Sequence, residues 1–126
     1  MIRILILLTF FCINTFNSFS QKTDNQLLTN LKKQRNELER LVNHYPDSAL
    51  LVANKLLAQT KKSGSEKQKA VAYCGYGFVQ LQQTNLEVAE TWLKKALKIN
   101  QTLKQEDEIA YNYAYLAMIG QRKSDY

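Results

Sequence analysis

Residues 72–86, AYCGYGFVQLQQTNL, match residues 112–126, NYAYLAMIGQRKSDY, at a fixed distance. Tyr73 falls on Tyr113, Tyr76 on Leu116, Gly77 on Ala117 and Leu86 on Tyr126, an offset of 113 − 73 = 40. The same offset carries Ala49 to Ala89, Ala53 to Leu93 and Leu57 to Leu97. One period that fits two separate pairs of segments marks a stack of like units, none of which can bury its apolar face alone. The best-formed unit spans residues 70–100, two patterns of helical spacing joined at Gln83-Thr84-Asn85. Its small residues Gly77, Ala89 and Ala96 recur where two helices need to approach closely. Glycine inside a helix costs about 1 kcal/mol against alanine, so Gly75 and Gly77 are expected where close packing returns that energy.

One proline and four glycines in 126 residues leave an all-α chain as the expectation. A first helix over about residues 26–43, capped by Asp24, carries Leu27, Leu28, Leu31, Leu38, Leu41 and Val42 as one stripe, with Lys32, Lys33, Arg35, Glu37, Glu39 and Arg40 on the remainder. Pro46 breaks the pattern, and Asp47 or Ser48 caps a second helix over about 48–62 that buries Ala49, Ala53, Leu56, Leu57 and Thr60. Gly64 is expected to close it in a left-handed turn. Ser63 with Glu66, or Ser65 with Gln68, starts a third helix over about 66–83. Thr84 with Glu87 is a further capping box before a fourth helix over about 86–100, which has a second apolar side in Val88, Trp92 and Ile99. After a polar link over residues 100–105, Asp107 caps a fifth helix over about 108–122.

The first twenty residues, MIRILILLTFFCINTFNSFS, read differently. Arg3, the apolar run Ile4 to Ile13 and a more polar end at Ser18-Phe19-Ser20 make up the three parts of a secretory signal peptide, with cleavage expected between Ser20 and Gln21. Residues 21–25 then form a flexible lead-in, and the location is periplasmic or secreted. The apolar run is half of the roughly 20 residues that a bilayer span needs. A membrane association is expected only for a form that retains residues 1–20. Phe10-Phe11 stand where lipid attachment at Cys12 would want small residues. Without the leader Cys74 is alone, so no intramolecular disulfide can staple the fold. It reads as a small buried hydrophobe.

The formal charge is +6, but basic residues are interspersed and no run of five like charges occurs. They read as solvated helix faces, and no nucleic-acid partner is expected. His44 is the one histidine and stands in a loop, so no metal site is expected. The chain has no glycine-rich phosphate loop and no histidine beside a candidate nucleophile. Glu106-Asp107-Glu108 opens a helix, where negative charge is favoured. Neither catalysis nor a cofactor is expected.

Tyr73, Tyr76-Gly77, Thr84-Asn85-Leu86, Ala89, Leu93 and Ala96-Leu97, followed by Tyr113, Leu116-Ala117 and Ser124-Asp125-Tyr126, resemble the tetratricopeptide repeat motif. The likeness covers residues 47–126 well and residues 26–46 loosely. The offset of 40 exceeds that family's usual repeat of about 34 residues, which implies longer helices or links. The leader and the stretch DSALLVANKLLAQTKKSG look like the extracytoplasmic start of bacterial regulators that carry such arrays.

The resemblance implies a right-handed superhelical solenoid of antiparallel helix pairs, about five helices in a truncated array. A degenerate or capping unit would span about 26–62, a complete unit 66–100 and an incomplete unit 107–126. It implies a protein-interaction module, the sensor or scaffold start of a longer extracytoplasmic signalling protein. The alternative is a stand-alone secreted adaptor that self-associates through residues 108–122. By resemblance, a protein or peptide ligand would lie in an apolar groove along Val71, Cys74, Phe78, Leu81, Gln82, Tyr111, Tyr115, Met118 and Arg122.

Overall fold

A computed structural model describes residues 2–126, apart from the side chains at positions 2, 4, 7, 8, 10–12, 16, 19 and 63. The readings made at Ile4, Phe10-Phe11, Cys12, Phe19 and Ser63 lie outside the described side chains. Five helices follow one another, α1 (Ile2–Leu41), α2 (Pro46–Ser63), α3 (Glu66–Gln82), α4 (Leu86–Thr102) and α5 (Glu106–Ser124), with no strand among the described residues. The fold is all-α.

The helices are laid out at even steps. The residues that precede them, Tyr45, Ser65, Asn85 and Gln105, follow one another every 20 residues, so the 40-residue period is two such steps. Helices α2 to α5 hold 17 to 19 residues each, and the turns between them are short. The excess over 34 residues is therefore taken up in helix length. The expected polar link over 100–105 shrinks to Leu103–Gln105, because Asn100, Gln101 and Thr102 continue α4.

Several helix boundaries differ from those expected, each for a local reason. Residue Asp24 lies inside α1, which runs through Ser20-Gln21 and the expected lead-in without a break. No proline or glycine stands between Ile2 and Leu41 to interrupt it. Helix α2 begins at Pro46 itself, whose missing N–H costs nothing in the first turn. Gly64 is extended (φ −78°, ψ 134°), not left-handed. Its requirement is closeness, since a Cβ there would stand 2.5 Å from the Thr60 carbonyl oxygen. Of the side-chain caps, Ser65 accepts the Gln68 N–H at 3.3 Å. Thr84 and Asp107 make none, because α4 and α5 start after Asn85 and Gln105 instead.

The left-handed positions are Thr84 (φ 63°) and Lys104 (φ 55°). Both close a helix in the same way: the next N–H, of Asn85 or Gln105, reaches back to the carbonyl of Gln80 or Asn100. A β-branched residue is strained there. Thr84→Gly is expected to stabilise the protein by roughly 0.5–1 kcal/mol, read as a higher urea midpoint at unchanged slope.

Contacts make successive helices antiparallel. Tyr73 and Tyr76 near the middle of α3 meet Trp92 of α4, each edge-on at 5.1 Å between ring centres. Between α4 and α5, Asn100 donates to Asn112 at 2.8 Å, both side chains being buried, while Lys123 at the other end reaches Glu87 at 2.7 Å. Helix α3 is the hub, in contact with each of the other four. That is why residues 70–81 are apolar on all sides, as a helix surrounded by others must be. Leu31 and Leu38 of α1 and Ala49, Ala53 and Leu56 of α2 are fully buried against it, as the stripes predicted. Val88 is exposed and Trp92 and Ile99 are half-buried, so the expected second apolar side of α4 is only partly covered.

The first half of α1 stands away from this packing. Every described side chain from residue 3 to 26 is exposed, including Leu5, Ile6 and Ile13. No helix among the described residues is long and apolar enough to cross a membrane.

Candidate interaction surfaces

Helices α1 and α5 flank α3, and the face of α3 between them carries the residues expected to line a groove. Val71, Cys74, Phe78 and Leu81 are buried there, and Tyr115 of α5 is buried with them, its ring 4.8 Å from that of Phe78. Gln82, Met118 and Arg122 are half-buried, and only Tyr111 is exposed. Side chains already packed against their own chain offer a partner no surface. Gly75 shows how closely the neighbours approach, since a Cβ on it would lie 3.1 Å from Leu38 and 3.3 Å from Leu56.

What closes this face is a polar bridge. The Arg35 guanidinium of α1 pairs with Glu108 of α5, and both are buried. Lys32 adds a second cation 3.4 Å from the same carboxylate. One turn on, the Tyr115 hydroxyl donates to Glu39 at 2.5 Å. The Arg35 guanidinium also lies 4.8 Å over the Tyr111 ring. Burial opposes the Arg35 charge, but hydrogen bonding to Glu108 and its negative charge together raise the pKa above the ordinary value. Burial, followed by the bond to Glu39, likewise raises the Tyr115 phenol. The Arg35 Nε has no partner within this cluster.

Of the buried charges in this bridge, Arg35 is expected from the sequence on the polar remainder of its helix, and Glu108 as a charge that opens a helix. The signal that places them inside is position. Leu31, Arg35, Leu38 and Val42 follow one buried stripe on α1, and Glu108, Asn112, Tyr115 and Ile119 follow another on α5. The buried line of α5 thus runs between the groove residues Tyr111, Met118 and Arg122 expected by resemblance and the repeat residues Tyr113 and Ala117, because α3 and α4 meet it along that line.

Cys74 sits beneath the bridge, fully buried. Burial pushes its thiol up to about 12. Thiol reagents are expected to leave Cys74 untouched in the folded protein and to label it only as the chain unfolds, with peptide mapping to separate it from Cys12. Arg122 also serves the fold, donating to the Leu81 carbonyl at 2.6 Å and to Gln82 at 3.1 Å. It satisfies carbonyls at the end of α3, where a cation is electrostatically favoured.

The open surface lies on the other side of α5. Position 77 of α3 is covered by α4, such that a Cβ there would stand 2.8 Å from Leu93. Its repeat mate Ala117 is exposed. Gln80 is 6% exposed, whereas its mate Gly120 would find nothing within 4 Å of an added Cβ. Tyr73 packs on Trp92, whereas its mate Tyr113 is 53% exposed. No family model, no curated protein and no solved structure matches the chain.

Proposed function

We propose that the chain is a protein-interaction module of the tetratricopeptide kind, the sensor or scaffold start of an extracytoplasmic signalling protein, and that α5 receives a partner helix. The observation that carries this reading is the contrast between α3 and α5. Tyr73 packs on Trp92 and Gly77 and Gln80 are buried, whereas their mates on α5, Tyr113, Ala117 and Gly120, are exposed, with Leu116 between them half-buried. The repeat itself says what fits there, an antiparallel amphipathic helix with small and large apolar residues spaced like Ala89, Leu93 and Ala96. The groove inferred by resemblance supports the reading less, since most of its residues are packed within the chain. In this role the protein carries out no catalytic step of its own.

A labelled peptide of residues 86–102, the helix that covers the equivalent row, is the probe. It is expected to bind saturably, and Ala117→Arg is expected to abolish binding while changing stability by no more than about 0.5 kcal/mol, as for an exposed site. No binding to the intact chain would overturn the reading. The bare α5 face also fits a stand-alone adaptor that pairs with a second copy through residues 108–122. Sedimentation separates the two, since that adaptor dimerises without a peptide and Ala117→Arg makes it monomeric. Export with cleavage after Ser20 completes the proposal, supported by the exposed apolar residues of the first half of α1. Mass spectrometry of the mature N-terminus tests it.

A further inference from the structure

A second surface, distinct from the α5 face, lies where α2, α3 and α4 meet. An open cleft of about 540 Å³ has walls from Leu57, Ala58, Tyr73 and Trp92, together with Lys61 and Lys69. We propose that this cleft docks an acidic peptide segment, one apolar side chain of which inserts beside Trp92 while its carboxylates meet the surrounding lysines.

Three observations support this. The volume falls in the range of sites that hold a ligand of several residues' bulk, mostly apolar with a few polar groups. The charged residues that line it, Lys61 and Lys69, are both cationic. No acidic residue lines the cleft, and Lys95 lies with its ammonium 4.5 Å over the Trp92 ring. Lys69 is paired with Glu66 at 2.9 Å, but among the described residues neither Lys61 nor Lys95 has a carboxylate within ion-pair distance. Lys61 also stands in the last turn of α2 beside Lys62, which extends the positive field beyond the rim. An incoming carboxylate therefore gains cations that no internal partner occupies.

The walls are also held in place before any partner arrives. Tyr73 and Tyr76 both pack edge-on against Trp92, so the indole is fixed from two sides and needs no reordering on binding. A fixed aromatic wall with lysines around it suits an apolar side chain that inserts and neighbouring side chains that carry carboxylates. Stacked nucleotide bases fit it less well, because Lys95 already lies over the indole ring.

Trp92 is the one tryptophan, so its emission reports the cleft directly. The probe is a blocked octapeptide of Asp and Glu with a central Leu-Phe pair. A saturable change in Trp92 emission is expected, weakening as salt rises from about 0.05 to 0.5 M. Lys61→Glu and Lys95→Glu, both at exposed positions, are each expected to weaken binding about tenfold with an unchanged melt. Ala58→Phe is expected to block the cleft sterically. The Leu-Phe pair replaced by Ser-Ser is expected to lose binding. The proposal is overturned by no saturable change, by an equal response to the lysine counterpart of the peptide, by equal affinity for a single-stranded oligonucleotide, or by binding that survives both charge reversals. Ala117→Arg leaves this signal intact, which separates a failure here from a failure of the α5 reading.

Discussion

Gly77→Leu is expected to unfold the protein or to lower its stability by more than about 3 kcal/mol. A first side-chain carbon at this position would already stand 2.8 Å from Leu93 Cγ, 3.1 Å from its Cδ2 and 3.3 Å from the Ala89 carbonyl oxygen. Leu93 and Ala89 are both fully buried, so neither has space to move into. The atom that must give way at Leu93 is the branch point, not a mobile tip, and at Ala89 it is backbone. Overpacking of this kind costs about 1–3 kcal/mol even for modest additions. Gly77→Ala gains about 1 kcal/mol in helix propensity and is nevertheless expected to lose stability in sum. Leu93→Ala alone costs about 2–5 kcal/mol through the cavity it leaves. Combined, Gly77→Leu and Leu93→Ala exchange volume across one contact, so the pair is expected to be less damaging than the two costs added. Urea unfolding followed by circular dichroism measures all four chains. A Gly77→Leu midpoint equal to the parent's would remove the basis for close α3–α4 packing.

The second large effect is expected at Glu108. Its carboxylate is buried, pairs with Arg35 and has Lys32 at 3.4 Å. Glu108→Ala leaves the Arg35 guanidinium buried without a counter-charge, which costs about 3–5 kcal/mol. Replacing both partners by apolar residues of similar size, Arg35→Met with Glu108→Leu, is expected to cost far less, because the cost arises from an orphaned charge. Hydrogen exchange supplies the second readout. Helices α1 and α5 approach each other across α3 through this bridge and the Tyr115–Glu39 bond. Glu108→Ala should therefore speed exchange in the C-terminal half of α1 more than in α4. Equal losses in both helices would mean that the pair stabilises the fold without tying α1 to α5.

Helix number and order were legible because each helix carries its own stripe. Ala49, Ala53, Leu56 and Thr60 point one way on α2, as Ala89, Leu93 and Ala96 do on α4, and all are buried. Caps were less legible. Ser65 made its own bond of the capping box, which the Gln68 side chain does not return, whereas Thr84 fell one residue early and took up a left-handed turn. That turn is fixed by a backbone bond from Asn85 to Gln80, which no side-chain pattern encodes. The site was legible in part. Phe78 and Tyr115 do share one face, yet the charges that cover it come from residues 35, 39 and 108, far apart in the chain.

By itself, then, the sequence determined an all-α chain with a 40-residue period and a best-formed unit over residues 70–100. Periodicity is a local property, read from neighbours three and four residues apart. The tertiary structure alone decided which faces stay open. Exposure depends on what other helices cover, so Tyr73 and Tyr113, alike in sequence, ended one packed against Trp92 and one in water.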